Sequence, residues 1–203
     1  MDFSALATAR YSLRKFSSAP VEPEKLALIL EAGRNAPTAH NYQPQRIFVL
    51  QTPEALEKAD ACMGRHFHPP VILAVAYDPQ VSWKRETDGK DHGEIDASLA
   101  VSQMMLQAAD LGLGTTYVGM FQPEKLLEAF PEMEGLCPIA LLPLGYPAEG
   151  AHPARLHTDR RALEELCGIC KAVLKISILS KNTGETTVSP VFLFLVVPKA
   201  TPG

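Results

Sequence analysis

Seven consecutive apolar residues, Val71-Ile72-Leu73-Ala74-Val75-Ala76-Tyr77, run up to the turn pair Asp78-Pro79. The run is too short for a lone helix, and it does not alternate as a half-wet strand would. It reads as a strand buried on both faces. Around it the periodicity assigns other elements. Residues 2–10 read as a first helix. Leu26, Ile29, Leu30 and Gly33 fall at helical spacing behind Pro20 and Pro23, which puts one buried face on a second helix that Pro37 stops. Ile47–Leu50 reads as a strand, Pro53–Met63 as a helix, and Glu94–Leu111 as a long helix ended by Gly112 and Gly114. On that long helix Ile95, Leu99, Ser102, Leu106 and Ala109 mark one face, while Ala97, Ser98, Ala100 and Ala108 permit close packing. Thr115–Val118 reads as the start of a strand, Pro123–Phe130 as a helix and Ile139–Leu144 as a core strand. Helices and strands mix without strict βαβ alternation, so the fold class is α+β.

The 203 residues suffice for one sizeable core. A formal net charge of -4 gives no general pull toward nucleic acid or anionic membrane, so any bound anion needs a local cluster of donors. The longest apolar run near the end, Val191–Val197, is far short of the roughly 20 residues that span a bilayer. The N-terminal residues lack the apolar segment of a secretory signal, so a reduced, cytoplasmic setting is expected. Cys62 and Cys137 read as small buried hydrophobes. Cys167-Gly-Ile-Cys170 is a single C-x-x-C pair, and alone it cannot close a tetrahedral metal site. His66 and His68 have no carboxylate at ligand spacing, so no metal is expected.

Three clusters stand out chemically. Arg10, Ser12 and Arg14 alternate, so an extended backbone places two guanidinium groups and a hydroxyl on one side, a pattern suited to phosphate. A solvated basic turn explains the same residues. Asn35–Pro44 is dense in carboxamides and hydroxyls that suit the edge of a heterocycle or a sugar chain. A helix stop followed by a turn explains it too. Gly112–Gly119 is rich in glycine but lacks the G-x-G-x-x-G order of a Rossmann site. Within it, Gly119 suits close backbone approach to a ligand.

In order, Ala9–Phe16, Ala36–Pro44, Glu94-Ile95-Asp96-Ala97, Leu111–Thr115, Leu144–Pro147 and Arg160–Glu165 resemble the nitroreductase family of flavoenzymes. The resemblance covers about residues 3–166. It implies a nitroreductase-like fold, a central, mostly antiparallel sheet flanked by helices, in an entwined homodimer with FMN at the interface. It divides the chain into an FMN-binding domain, 1–166, and a C-terminal extension, 167–203. By position Arg10, Tyr11, Ser12 and Arg160 would lie at the phosphate and ribityl chain, and Arg14 by the pyrimidine end of the flavin. Pro37, Thr38, Ala39, Asn41 and Gln43 match the loop that reaches FMN across the interface. Val118 and Gly119 match the segment beside the ring. The implied reaction is ping-pong hydride transfer from transient NADH or NADPH to a nitroaromatic, quinone or similar small electron-poor acceptor. The flavin carries the chemistry, so no catalytic acid or base is assigned.

The sequence departs from the family pattern at Tyr11, where Arg or His is common, at Gln45, where Trp is common, and at Gly119, where some members carry a carboxylate. These departures bear on substrate preference. A flavin carrier or sensor without turnover stays open, as do reductive dehalogenation and ene reduction on the same fold. Asp96 reads as a cap or a dipole-favoured acid. Trp83 reads either as a cap over the pocket or as a surface aromatic, and His40, inside the flavin-loop match, either as a contact to substrate or flavin or as a bystander. The segment beyond Cys167 suggests a hairpin around Asn182–Gly184, which would form an arm on a partner subunit or a disordered end.

Overall fold

The computed structural model describes residues 2–168. Met1–Asp159 form one compact unit. A second unit begins at Arg160, and its described part holds only the short helix α6, Leu163–Leu166. The expected hairpin around Asn182–Gly184 and Cys170 lie outside the described residues.

The first unit carries α1 (Phe3–Ala9), α2 (Pro23–Arg34), β1 (Gln45–Leu50), α3 (Pro53–Asp60), β2 (Val71–Tyr77), α4 (Gly93–Asp110), β3 (Gly114–Thr115), α5 (Pro123–Ala129) and β4 (Cys137–Gly145). The four strands form one antiparallel sheet in the order β1-β2-β4-β3. Helices together with this sheet make the fold α+β.

The apolar run at 71–77 is the centre of that sheet. Its side chains alternate between faces. Val71, Leu73 and Val75 pack with Ile29 of α2 and with Ala97, Val101 and Met104 of α4. Ile72, Ala74 and Ala76 pack with Ala59 of α3 and Cys62 just after it, and with Leu126 of α5 and Met133 beyond it. Burial on both faces therefore follows from helices on both faces. Burial also pushes the Cys62 thiol pKa up, in keeping with an inert buried side chain. Cys137, on β4, is only half-buried.

Helix starts follow their sequence signals. Thr52 accepts the Ala55 N–H at 3.2 Å with Pro53 at the first helical position, and Pro23 opens α2 in the same way. One reading is sharpened and one changes. The stripe Ile95, Leu99 and Ser102 on α4 faces outward, and the helix packs on the core through Asp96, Ala97, Ala100, Val101, Met104 and Ala108. The small residues allow the close approach, so they win the inner face. The expected strand from Thr115 to Val118 stops after Thr115. The reason is Pro143. Val118 and Leu141 exchange both backbone hydrogen bonds, and the next such pair outward is Thr116 with Pro143. Thr116 donates to the Pro143 carbonyl at 3.3 Å, but proline has no N–H to return. The ladder is interrupted there and resumes, in the same register, at the bridge between Val118 and Leu141.

No described helix is long and apolar enough to cross a membrane.

Gly93 opens α4 directly under the ring of Tyr77. A Cβ at this position would lie 2.0 Å from Cδ2 of that ring. Gly93→Ala is expected to destabilise the fold by about 1–3 kcal/mol, the usual scale of overpacking. Urea denaturation with an unchanged m-value measures it, and an unshifted midpoint would contradict the packing.

Candidate functional site

α1 ends at Arg10, and the chain then runs extended beside β3. Ser12 forms a parallel bridge with Thr115, and the Leu13 N–H donates to the Thr115 carbonyl at 2.9 Å. Leu13, 1% exposed, is pinned under Gly114, where a Cβ would come within 2.5 Å of its side chain. With Leu13 inward, the period of two turns Ser12 and Arg14 the other way. Arg14 is exposed, and its guanidinium donates to the Ser12 carbonyl at 3.1 Å. Tyr11 meets the His157 ring edge-on at 6.2 Å. Arg10 and Tyr11 help line a cavity of about 190 Å³ with Met105, Thr115 and Pro147. The Thr115 hydroxyl is buried and has no hydrogen-bond partner among the described residues.

The carboxamide-rich loop adopts a costly backbone. Thr38 is extended, and a 3-10 turn follows over Ala39–Asn41. His40, Asn41 and Gln43 all have left-handed φ, at 52°, 55° and 51°. Non-glycine residues rarely take this region, and three within four positions mark stored strain, which clusters at functional sites. The shape is over-determined by its bonds. Gln43 N–H donates to Thr38 Oγ1 at 3.1 Å, Gln43 Nε2 donates to the Asn41 carbonyl at 3.2 Å, and Ala39 N–H donates to Asp96 Oδ1 at 3.0 Å. Pro37 lies exposed ahead of the turn. Beside the loop, Gln43 and Gln45 help to line a cavity of about 240 Å³ with Leu30, Arg34 and Ile47.

Trp83 is placed against this loop rather than alone on the surface. The His40 ring lies 5.1 Å from it and the His92 ring 4.7 Å from it on an edge, with Tyr42 5.7 Å from His40. The Trp83 carbonyl accepts the His92 N–H at 3.0 Å. Nearby, burial works to raise the Asp91 carboxyl pKa, but the Gly93 N–H, the Ser82 hydroxyl and Lys84 outweigh it and hold the group below its ordinary value. Asp91 is therefore a firm anchor for the start of α4.

Asp96 does not cap α4. The cap position is His92, which makes no side-chain cap bond, while Asp96 turns inward to the Ala39 amide. The available signal was an acid placed on the face of small residues.

Val118 is 8% exposed, and both of its backbone groups are bonded to Leu141, at 2.9 and 3.1 Å. Gly119 lies exposed just beyond it, and a Cβ there would meet only the Tyr117 ring, at 3.6 Å. His66 Nδ1 is hydrogen-bonded to the Asp60 carboxylate, and the His66 and His68 rings stack at 6.3 Å. Among the described residues, no group of three or more His, Cys, Asp and Glu side chains is placed to hold a metal. Arg160 opens the second unit and is exposed within it.

Two of these clusters sit at opposite ends of α4. The loop is tied to Asp96, and the cavity at Arg10 borders Ala109 and Gly112. At 1.5 Å rise per residue, about 20 Å of helix axis lies between those ends. One chain does not bring the two clusters together.

A sequence profile described as the nitroreductase family matches residues 7–68 and 57–146. A nitroreductase family protein of Clostridium difficile is 36% identical, with a TM-score of 0.79 over 85% of this chain and 100% of its own. A Bacillus subtilis protein named FMN reductase [NAD(P)H] is 28% identical over 70% of this chain and 64% of its own length. An Exiguobacterium sibiricum structure, solved in complex with FMN, shares the fold at a TM-score of 0.71 and 20% identity, covering 84% of this chain and 98% of its own.

Proposed function

The chain belongs to the nitroreductase family, and on that premise we propose that it is an NAD(P)H-dependent FMN oxidoreductase acting as a homodimer. The observation that carries the proposal is the split of the candidate site between the two ends of α4. A second copy supplies what one chain lacks: the strained loop of one protomer meets the arginine segment of its partner. The outer face of α4 supports this arrangement. Ile95 and Leu99 are 40% and 41% exposed, an apolar stripe that water does not favour on a helix.

The donors fit the phosphate and heterocycle of FMN. Arg10 and Ser12 hold the phosphate and ribityl chain, beside Tyr11. The Thr115 hydroxyl, unpartnered among the described residues, adds a donor on that side, since the backbone of Thr115 bridges that of Ser12. Arg14 lies at the pyrimidine end, where its fixed positive charge favours an anionic flavin. From the partner, Pro37, Thr38, Ala39, Asn41 and Gln43 would close over the ring, with the Asn41 and Gln43 carboxamides as its hydrogen-bonding groups, since the Ala39, Asn41 and Gln43 N–H groups are spent within the protomer. Val118 and Gly119 flank the ring. Since the Val118 N–H is spent on Leu141, Gly119 is the residue of this pair suited to offer a backbone donor. When bound, FMN supplies the two-electron chemistry, accepting hydride from NADH or NADPH and passing it to a nitroaromatic, quinone or similar acceptor. Nicotinamide and acceptor use one place in turn, which makes the kinetics ping-pong. The residues bind, orient and tune, and no side chain is assigned as acid or base.

Purified protein reconstituted with FMN should bleach on anaerobic addition of NADH or NADPH and recover its colour with a nitroaromatic or a quinone. FMN that binds but is not reduced points instead to a carrier or sensor. A chain that takes up no FMN refutes the proposal.

Arg10→Ala should weaken FMN binding by about 1.5–3 kcal/mol, the scale of a hydrogen bond to a charged group. Equilibrium titration of flavin fluorescence reads it, and an unchanged Kd removes Arg10 from the phosphate site. Leu99→Glu should convert the dimer to a monomer in sedimentation velocity and lose FMN with it. A dimer that persists in this variant places the interface elsewhere.

A further inference from the structure

We propose that Asp96 is a positioning residue for the flavin site: by accepting the Ala39 N–H, its buried carboxylate holds the strained turn at 38–43 in its ligand-ready shape. The inference rests on the flavin reading above and adds to it a residue that touches no ligand.

Asp96 is 3% exposed. A carboxylate in such a place loses its hydration, and an apolar residue would fill the space without that penalty. The position at the close of the first turn of α4, near the positive end of the helix, offsets only part of the loss. Oδ1 has one partner, the Ala39 amide at 3.0 Å, and Oδ2 is buried with none among the described residues. The carboxylate is therefore not spread over an ion pair or a cap. Its one visible bond joins residues 57 apart in sequence.

What lies at the other end of that bond explains it. Ala39 is the first residue of the turn whose members His40, Asn41 and Gln43 take left-handed backbone. Such a turn relaxes toward ordinary backbone unless its entry is fixed. Thr38 Oγ1 closes the turn on the Gln43 amide within the loop itself, and the His40 ring leans on Trp83, but neither contact ties the entry at Ala39 to a helix of the core. Asp96 sets that point. Asn41 and Gln43, whose carboxamides are assigned to the flavin, follow from it. Asp96 also lies on the helix whose neighbouring residues Ile95 and Leu99 face outward. The helix that meets the partner thus also carries the anchor of the loop that reaches into the partner's site.

Four full-length proteins test this: wild type, Asp96→Ala, Asp96→Asn and Ala39→Pro. Asn keeps one oxygen for the Ala39 N–H. Pro removes that N–H from the loop side, and the extended Thr38 (φ -132, ψ 155) is backbone that a following proline tolerates. FMN affinity is read by fluorescence titration, and the loop by hydrogen exchange at residues 40–43. Asp96→Ala and Ala39→Pro should each weaken FMN by about 10- to 100-fold, the span of a hydrogen bond to a charged group. Both should speed exchange at 40–43. Asp96→Asn should stay within about threefold of wild type, since it keeps an acceptor. Wild-type affinity and exchange in Ala39→Pro overturn the proposal, and so does an Asp96→Asn protein as impaired as Asp96→Ala. Should Asp96→Ala fail to fold, Ala39→Pro decides. A wild-type chain that takes up no FMN rejects the flavin reading instead. In that case unchanged exchange at 40–43 in the variants still overturns the loop-holding role.

Discussion

Water must be kept off both faces of β2, and the rest of the first unit is arranged to do this. A strand with apolar residues at every position from 71 to 76 cannot lie on a surface. Its odd-numbered side chains need one cover and its even-numbered side chains another. α2 and α4 supply the first, and α3 and α5 with the turns around them supply the second. β4 flanks β2 on one side and β1 on the other, so the backbone of the central strand is satisfied along both edges. Once α4 is committed to cover β2, its length becomes a ruler. It separates the loop at its start from the arginine segment near its end by about 20 Å of helix axis.

That separation makes strain useful. Residues 40–43 are exposed, so in the proposed dimer, where this loop would reach the partner's ligand, burial in its own core would not set its shape. Local bonds and one buried carboxylate hold it instead. The left-handed residues are costly in isolation and stable only because several contacts agree. Trp83 and His92 add an aromatic support from a segment that is otherwise polar and irregular.

Much of the fold was legible in the sequence. The apolar run fixed the sheet centre, Pro23 and Pro53 marked helix starts, and the alternation Arg10-Ser12-Arg14 anticipated an extended segment with Leu13 turned inward. What was not legible depended on contacts distant in sequence. Thr115–Val118 has strand character, but its length is set by Pro143, a residue of the neighbouring strand. Asp96 at a helix start looks like a cap, and only the fold brings the Ala39 amide within 3.0 Å of it. Trp83 and His40 carry no local signal of proximity, since a loop of polar residues has no period to read. The candidate site residues could be proposed only through the ordered family motifs, because those motifs preserve chain order even where spatial partners are far apart.

The outward stripe on α4 shows why a periodic pattern identifies a face but not its destination. Ile95, Leu99, Ser102 and Leu106 recur at helical spacing, and so do Ala97, Ala100, Val101, Met104 and Ala108. Hydrophobicity alone favours the first set as the inner face. Geometry favours the second, because a helix lying tightly on a twisted sheet needs small side chains at closest approach, with one adaptable Met104 to fill what remains. With the small face inward, Ile95 and Leu99 stay outside. A monomer would leave them in water, and a second copy of the same helix would bury them. A helix apolar on two faces is thus economical in a protomer that covers its own sheet with one face and its partner with the other.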